Sequence, residues 1–371
     1  MPKLRLLVLP FLVGLIALPP TVFAFDFLIQ TNPASIVLEC QPWLDGWSSR
    51  VKMTIDSDLV DADLTNFPVL VYLQDGGNFA FADALANGND IRFTQSDGIS
   101  LLAYERQYHT SPEAWYWVRL PSVSSSADTD FYVYYGNAGA SDGAAPSNVW
   151  DSDFVAVYHL GEANTGMVIA DSTGGHNAAK KSNAEPSQTT GAIGKGQDFD
   201  NTDDFINIAN HADFDFTEAV TFELWAKHNS NAPEFILSNR TRSDCAVYMI
   251  SDGKNMDFAV HIGNVVKAAQ GSVALGITDW RYCAGTYDKA DGLVKSYVDD
   301  NPADTFDSGG GNIDVTGVDY RIGWGHSDGY VWDGPIDEVR MSSIARSAAW
   351  IKASYHSGAD GLITFGQEEI K

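Results

Sequence analysis

Short runs of β-branched and aromatic residues, broken every few positions by Gly, Asn, Asp and Ser, recur along most of the chain. Such runs between turn-forming residues predict strands joined by tight turns. Residues 68–73, 115–120 and 131–135 are predicted strands of the first half. In the second half, residues 220–227 alternate with period two, which puts Val220, Phe222, Leu224 and Ala226 on one face and Thr221, Glu223, Trp225 and Lys227 on the other. Helical periodicity is nearly absent. The main predicted helix covers 348–356, with Ser347 as N-cap and Trp350, Ile351 and Tyr355 on the side that docks against a sheet.

Residues 136–147 lack bulky apolar side chains and read as a loop or linker, so the chain divides near Ser152. With 371 residues, two domains are expected, each large enough to hold a core. The first 24 residues carry Lys3 and Arg5, then an uncharged apolar run, then Val22 and Ala24 before a cut. They read as a secretory signal peptide, the alternative being an uncleaved anchor weakened by Pro10, Pro19 and Pro20. The expected division is a signal over 1–24, a β-sandwich over 25–151 and a second over 152–371. No later apolar segment approaches membrane-spanning length, so no membrane insertion of the mature chain is expected.

The formal net charge is −26. A surface this acidic repels nucleic acid and anionic membranes, which excludes those partners. Most of the 49 acids are Asp, a residue of turns and of hard-cation loops. They are either solvated turns or, for a few, ligands of calcium. Cys40, Cys245 and Cys283 allow at most one internal disulfide. Cys245 and Cys283 sit in strand-like runs and are either bridged or two buried thiols.

Two series of motifs stand in order along the chain. The first contains Trp47 and Arg50 before Val51-Lys-Met-Thr-Ile55, then Asn66-Phe-Pro-Val-Leu-Val71, Asn89-Asp-Ile-Arg-Phe-Thr94, Leu101-Leu-Ala-Tyr-Glu105, Trp117-Val-Arg-Leu-Pro121 and Tyr134-Tyr-Gly-Asn137. It resembles a bacterial domain of unknown function that often precedes laminin-G-like modules, and the resemblance implies no activity. The second contains Val157-Tyr-His-Leu160, Asp171-Ser-Thr-Gly-Gly-His-Asn177, Gly191-Ala-Ile-Gly194, Phe199-Asp-Asn-Thr-Asp-Asp-Phe-Ile206, Phe222-Glu-Leu-Trp225, Trp280-Arg-Tyr-Cys-Ala-Gly-Thr-Tyr-Asp288 and Ile336-Asp-Glu-Val-Arg340. It resembles the laminin-G-like family, which implies a concanavalin A-like jelly roll. Asn201 replaces the family's usual glycine and stays compatible with a left-handed turn. Cys283 replaces an aliphatic residue. The fold expected is therefore all-β, two β-sandwiches with a short C-terminal helix.

The same resemblance brings a late strand beside an early one. Asp337 would then complete a structural Ca²⁺ cage begun by Asp200, Asp203 and Asp204. Candidate sugar contacts are Trp225, Trp324, Tyr330 and Trp332, whose rings would stack on the C–H face of a pyranose. His326 and Asp328 of the adjoining Gly-rich loop would grip hydroxyls. His159 and Glu162 suggest acid–base chemistry, but His159 reads as a packed strand residue. The Glu-x-Asp-x-Glu strand common to glycosidases of this scaffold does not occur, nor do zinc-protease, nucleophile-elbow or phosphate-loop motifs.

The expectation is an exported, non-catalytic binding or adhesion protein, extracellular, at the cell surface or periplasmic, with a glycan or cell-surface protein as partner. The alternative is a structural or accessory subunit of an envelope assembly of the MotA/TolQ/ExbB type or of a virus particle. A polysaccharide-degrading enzyme ranks third.

Overall fold

A computed structural model describes residues 27–32, 35–40, 42–182, 185–240, 245–277, 279–325 and 329–371. The segment expected to be a signal lies outside the described residues. A hairpin, Phe27–Asn32 with Ser35–Cys40, comes first. Among the described residues no helix is long and apolar enough to cross a membrane.

The N-terminal sandwich has two antiparallel sheets. One runs in the order Ile363–Ile370, Ser49–Ile55, Thr129–Tyr135, Arg92–Gln95, and the other Leu64–Gln74, Glu113–Val123, Tyr104–Thr110. Alternate residues such as Met53, Phe67, Val69, Val118 and Val133 fill the space between them. A boundary at 151/152 would assign the last strand to the second domain. Instead Ile363–Ile370 pairs with Ser49–Ile55 and makes the edge of the first sandwich, fixed by Arg50 on Glu369 at 2.6 Å. The chain leaves this sandwich, builds the second and returns. The 136–147 segment is likewise no free linker, because Arg106 holds Asp142 at 2.5 Å and Arg92 donates to the Ser141 carbonyl at 2.6 Å.

The second sandwich is two large antiparallel sheets face to face. In one, Asp333–Ser342 lies between Lys195–Asp200 and Ala219–Lys227, and Trp280–Asp288 follows. Phe154–Tyr158 also pairs with Asp333–Ser342. The other sheet includes Ala178–Lys180, Ile206–Ile208, Tyr320–Ile322 and Met256–Ile262. Val220, Phe222, Leu224 and Ala226 all enter the core between them, as their alternation requires. Gly285 is needed there: a Cβ at this position would collide with the Phe258 ring. Asn201 does take the left-handed conformation, with φ 58°. Cys245 and Cys283 are both buried thiols.

The opposite face of Ala219–Lys227 is covered as well, and Thr221, Glu223 and Trp225 are buried too. The three-stranded sheet of the first sandwich and the C-terminal helix cover it. That helix, Ala348–Gly358, is capped by Ser347 Oγ, which accepts the Trp350 N–H at 3.2 Å. Its Trp350 packs edge-on against Phe67 at 5.0 Å, and Ser357 Oγ accepts the Leu70 N–H at 2.8 Å. One apolar core therefore runs from the first sandwich through the interface to Trp225, Tyr282 and Trp350. Trp350→Ala is expected to lower stability by about 3–5 kcal/mol in urea titrations. A loss below about 1 kcal/mol would mean the helix is not held by this contact.

Candidate functional site

Two structures occupy the interface, a buried network of charged groups and an open groove beside it. The network begins at a bulge. Glu223 pairs with Arg340 and Trp225 with Asp337, so Glu338 and Val339 together oppose Leu224. Glu338 takes φ 54°, a left-handed conformation that costs a non-glycine residue about 1 kcal/mol or more. The extra residue lets Ile336, Val339 and Met341 enter the second core. Asp337, Glu338 and Arg340 all turn toward the first sandwich, where strict alternation would have separated the two neighbouring acids.

His159 sits between two carboxylates, one from each sandwich. Its Nδ1 is 2.8 Å from Glu338, and its Nε2 is 3.2 Å from Glu105, an ion-pair distance outside hydrogen-bond geometry. Glu105 also accepts from Trp150 Nε1 at 2.9 Å and Ser172 Oγ at 2.7 Å. Glu338 accepts from Gln107 at 2.9 Å and Arg340 at 3.0 Å, and Gln107 in turn accepts from Trp117 Nε1 at 2.9 Å. The Arg340 guanidinium lies 4.3 Å above the Trp117 ring, and the His159 ring stacks on the same indole. Burial opposes the charge on His159, but Glu338 and Glu105 outweigh it and hold its pKa well above the usual histidine range. Burial alone would raise Glu105, but His159 brings it below the usual carboxylate range.

The groove, about 460 Å³, is walled by both sandwiches. Tyr72 and Trp115 form one wall, stacked at 5.2 Å with 19° between their planes. Trp225, Trp280 and Tyr355 come from the second sandwich and its helix, with Arg281, Asp299 and Asp360 as polar members. Trp115, Trp280 and Tyr355 are only partly buried and present ring surface. Asp299 is committed, accepting from Arg281 at 2.7 Å and from the Tyr282 N–H at 3.0 Å.

The sequence-predicted residues fall in several places. Trp225 reaches the groove but is 6% exposed, its ring packed on Tyr355 and Tyr282. Trp332 is fully buried and stacked on His228 at 4.6 Å, so it offers no ligand surface. Tyr330 is 42% exposed beside Phe235, away from the groove lining. Trp324 is half-buried against Phe205. His326 and Asp328 lie outside the described residues. Sequence reasoning missed Trp115, Trp280 and Tyr72 as surface rings, because a strand pattern does not say where a facing domain stops.

The four-carboxylate cage does not form. Asp200 pairs with Asp333, four residues along the strand from Asp337. Asp337 is wholly buried at the interface, where its Oδ2 accepts the Ile193 N–H at 2.8 Å. It supports the 191–194 loop of the groove, and a Cβ on Gly191 would run into its carboxylate. Burial, then the charge of Glu338, raises its pKa well above the usual range. Asp203 and Asp204 do converge with Glu185. However, the Lys181 ammonium already sits on Asp203 and lies 3.1 Å from Glu185, so the position of a cation is taken by a side chain. Burial and Asp200 push Asp204 up to about 6. These residues do not fit a calcium cage.

The interface network sets a pH dependence. The raised His159 contributes stability in full below the ordinary histidine value of about 6.5, and loses it as pH rises through the higher folded value. Asp337, raised by burial, also makes stability fall with rising pH, from the ordinary carboxylate value of about 3.9 up to its higher folded value. Glu105 works oppositely, its contribution being lost as pH falls through its lowered folded value. His159→Gln, neutral at every pH, is expected to cost about 3 kcal/mol near pH 6, as removal of one member of a buried ion pair does. The gap should narrow as pH rises, and a pH-independent gap in chemical denaturation would contradict a charged His159.

Residues 200–352 match the family model described as the concanavalin A-like lectin/glucanases superfamily. Residues 87–166 match that of a domain of unknown function, DUF2341, and this match runs on through His159. No curated protein matches the chain. Among solved structures, the binding domain of Paraclostridial Mosquitocidal Protein 1 is 11% identical with a TM-score of 0.47, over 55% of this chain and 52% of that one. Domain 4 of AbnA, a GH43 extracellular arabinanase from Geobacillus stearothermophilus, a domain solved in complex with arabinotriose, is 15% identical with a TM-score of 0.41, over 55% of this chain and 98% of that one. The receptor binding domain of botulinum neurotoxin D is 13% identical with a TM-score of 0.42, over 55% of this chain and 52% of that one. The chain spans about half the length of the mosquitocidal and neurotoxin domains it matches. It carries a laminin-G-like domain of the concanavalin A-like superfamily, preceded by a domain of the DUF2341 family.

Proposed function

We propose that this is an exported, non-catalytic binding protein whose interdomain groove takes a neutral glycan. The observation that carries the reading is the groove itself: partly exposed Trp115, Trp280 and Tyr355 rings beside Arg281 and Asp360, in a cleft the size of a small-ligand site. Aromatic faces suit the C–H faces of sugar rings, and the polar groups at the rim suit their hydroxyls. The net charge of −26 disfavours polyanionic glycans. A non-catalytic role is supported by Asp299, whose carboxylate is tied to Arg281 and a backbone amide rather than free to act as acid or nucleophile.

A glycan array should show binding to neutral polysaccharides that survives a calcium chelator, with no release of reducing ends. Trp115→Ala and Trp280→Ala should each weaken that binding by about tenfold or more, as loss of a central aromatic contact does, without unfolding the protein. Absence of binding across the array, or Trp variants that bind as the parent does, would overturn the reading. Co-purification with envelope or particle proteins would then favour the assembly role.

A further inference from the structure

At the edge of the second sandwich far from these residues in sequence, three donor atoms of another kind converge. Ala178–Lys180 pairs antiparallel with Ile206–Ile208, with Ala179 opposite Asn207. The residues just before the first strand and just after the second are therefore neighbours, and these are His176 and the 211–213 turn. His176 Nε2 lies 2.9 Å from Asp213 Oδ2, and His211 Nδ1 lies 3.3 Å from the same oxygen. One donor atom from each of the three residues falls within 4.8 Å of the other two.

We infer that His176, His211 and Asp213 form a binding site for a divalent transition metal, zinc being the best fit. Two imidazole nitrogens and one carboxylate oxygen are a donor set for zinc rather than for calcium, which wants oxygen throughout. Tetrahedral zinc with bonds of about 2.0–2.1 Å requires donor atoms about 3.3 Å apart, and the two contacts to Asp213 are already near that spacing. His211 and Asp213 are exposed, which gives an ion a path in and leaves the fourth position to water or a ligand oxygen.

The scaffold holds His176 in place. Its N–H donates to the Asp171 carboxylate at 2.8 Å, and its carbonyl accepts from Tyr158 Oη at 2.6 Å. Its ring packs on Phe214 at 4.9 Å. The buried Asp171 also takes the Val157, Thr173 and Gly175 N–H groups. His211 Nδ1 accepts the Asp213 N–H at 3.2 Å, so this nitrogen is unprotonated, and an ion would take its lone pair in place of that hydrogen bond. His176 Nε2 faces Asp213 Oδ2 at 2.9 Å, so this is the ring nitrogen that would ligate the ion, with the proton then carried on Nδ1. The metal would tie the 171–177 loop to the 211–214 turn, and it is independent of the glycan groove.

The test is titration of the untagged full chain, freed of metal, with zinc alone in a calorimeter, and with cobalt followed by visible absorption. One ion per chain with a dissociation constant of about 10 µM or tighter is expected, with the intense bands of four-coordinate cobalt. Excess calcium should not displace it. His211→Asn keeps a capping acceptor and Asp213→Asn keeps the shape of the turn. Each should weaken zinc binding by about tenfold or more, with the metal-free melting temperature close to the parent's. His261→Ala should bind zinc as the parent does. Absence of zinc uptake by the folded parent, or retention of full affinity in both Asn variants, would overturn the site.

Discussion

The structure turns on charge placed where water does not reach. Glu105 of the first sandwich and Glu338 of the second are both buried, and an unpaired buried carboxylate costs several kcal/mol. His159 offsets both at once, and Arg340 offsets Glu338 a second time from above the Trp117 ring. Apolar surfaces alone would let two sandwiches slide over each other. These directional contacts are satisfied in one placement only, so they act on specificity as well as on stability.

From that placement the rest follows. The bulge at Glu338 exists to present two adjacent acids to one side, and the strain of its left-handed backbone is offset by the contacts it allows. With the sandwiches fixed, the helix wedges between them, and the chain end returns to complete the first sheet. The groove is a product of the same fit. Trp115 and Tyr72 come from one side, Trp280 and Tyr355 from the other, and neither half alone makes a cleft. A recognition surface of this kind is only as rigid as the interface beneath it.

Much of this was legible in the sequence. The all-β architecture, the inward face of Val220 to Ala226 and the capped helix after Ser347 followed from period and turn chemistry, and the left-handed Asn201 from the resemblance, in which it replaces a glycine. Alternation separates the two faces of that strand without saying what covers each. Thus Trp225, a candidate sugar contact, is a packed interface residue. Trp332 sits beside a Gly-rich loop, which suggested exposure, yet its indole is stacked on His228. Asp337 was assigned to the Asp200 loop because the two strands are neighbours, but pairing register puts Asp333 there instead. One signal was available: the apolar positions Ile336, Val339 and Met341 are spaced three and then two apart, which a regular strand does not show and a bulge does. The last strand, 363–370, alternates acceptably but carries no mark of the sheet it joins.

Differential scanning calorimetry of the full chain tests the central claim, that the buried contacts make the two sandwiches one cooperative unit. A single transition with matching calorimetric and van't Hoff enthalpies is predicted. Two separable transitions, one for each sandwich, would contradict it.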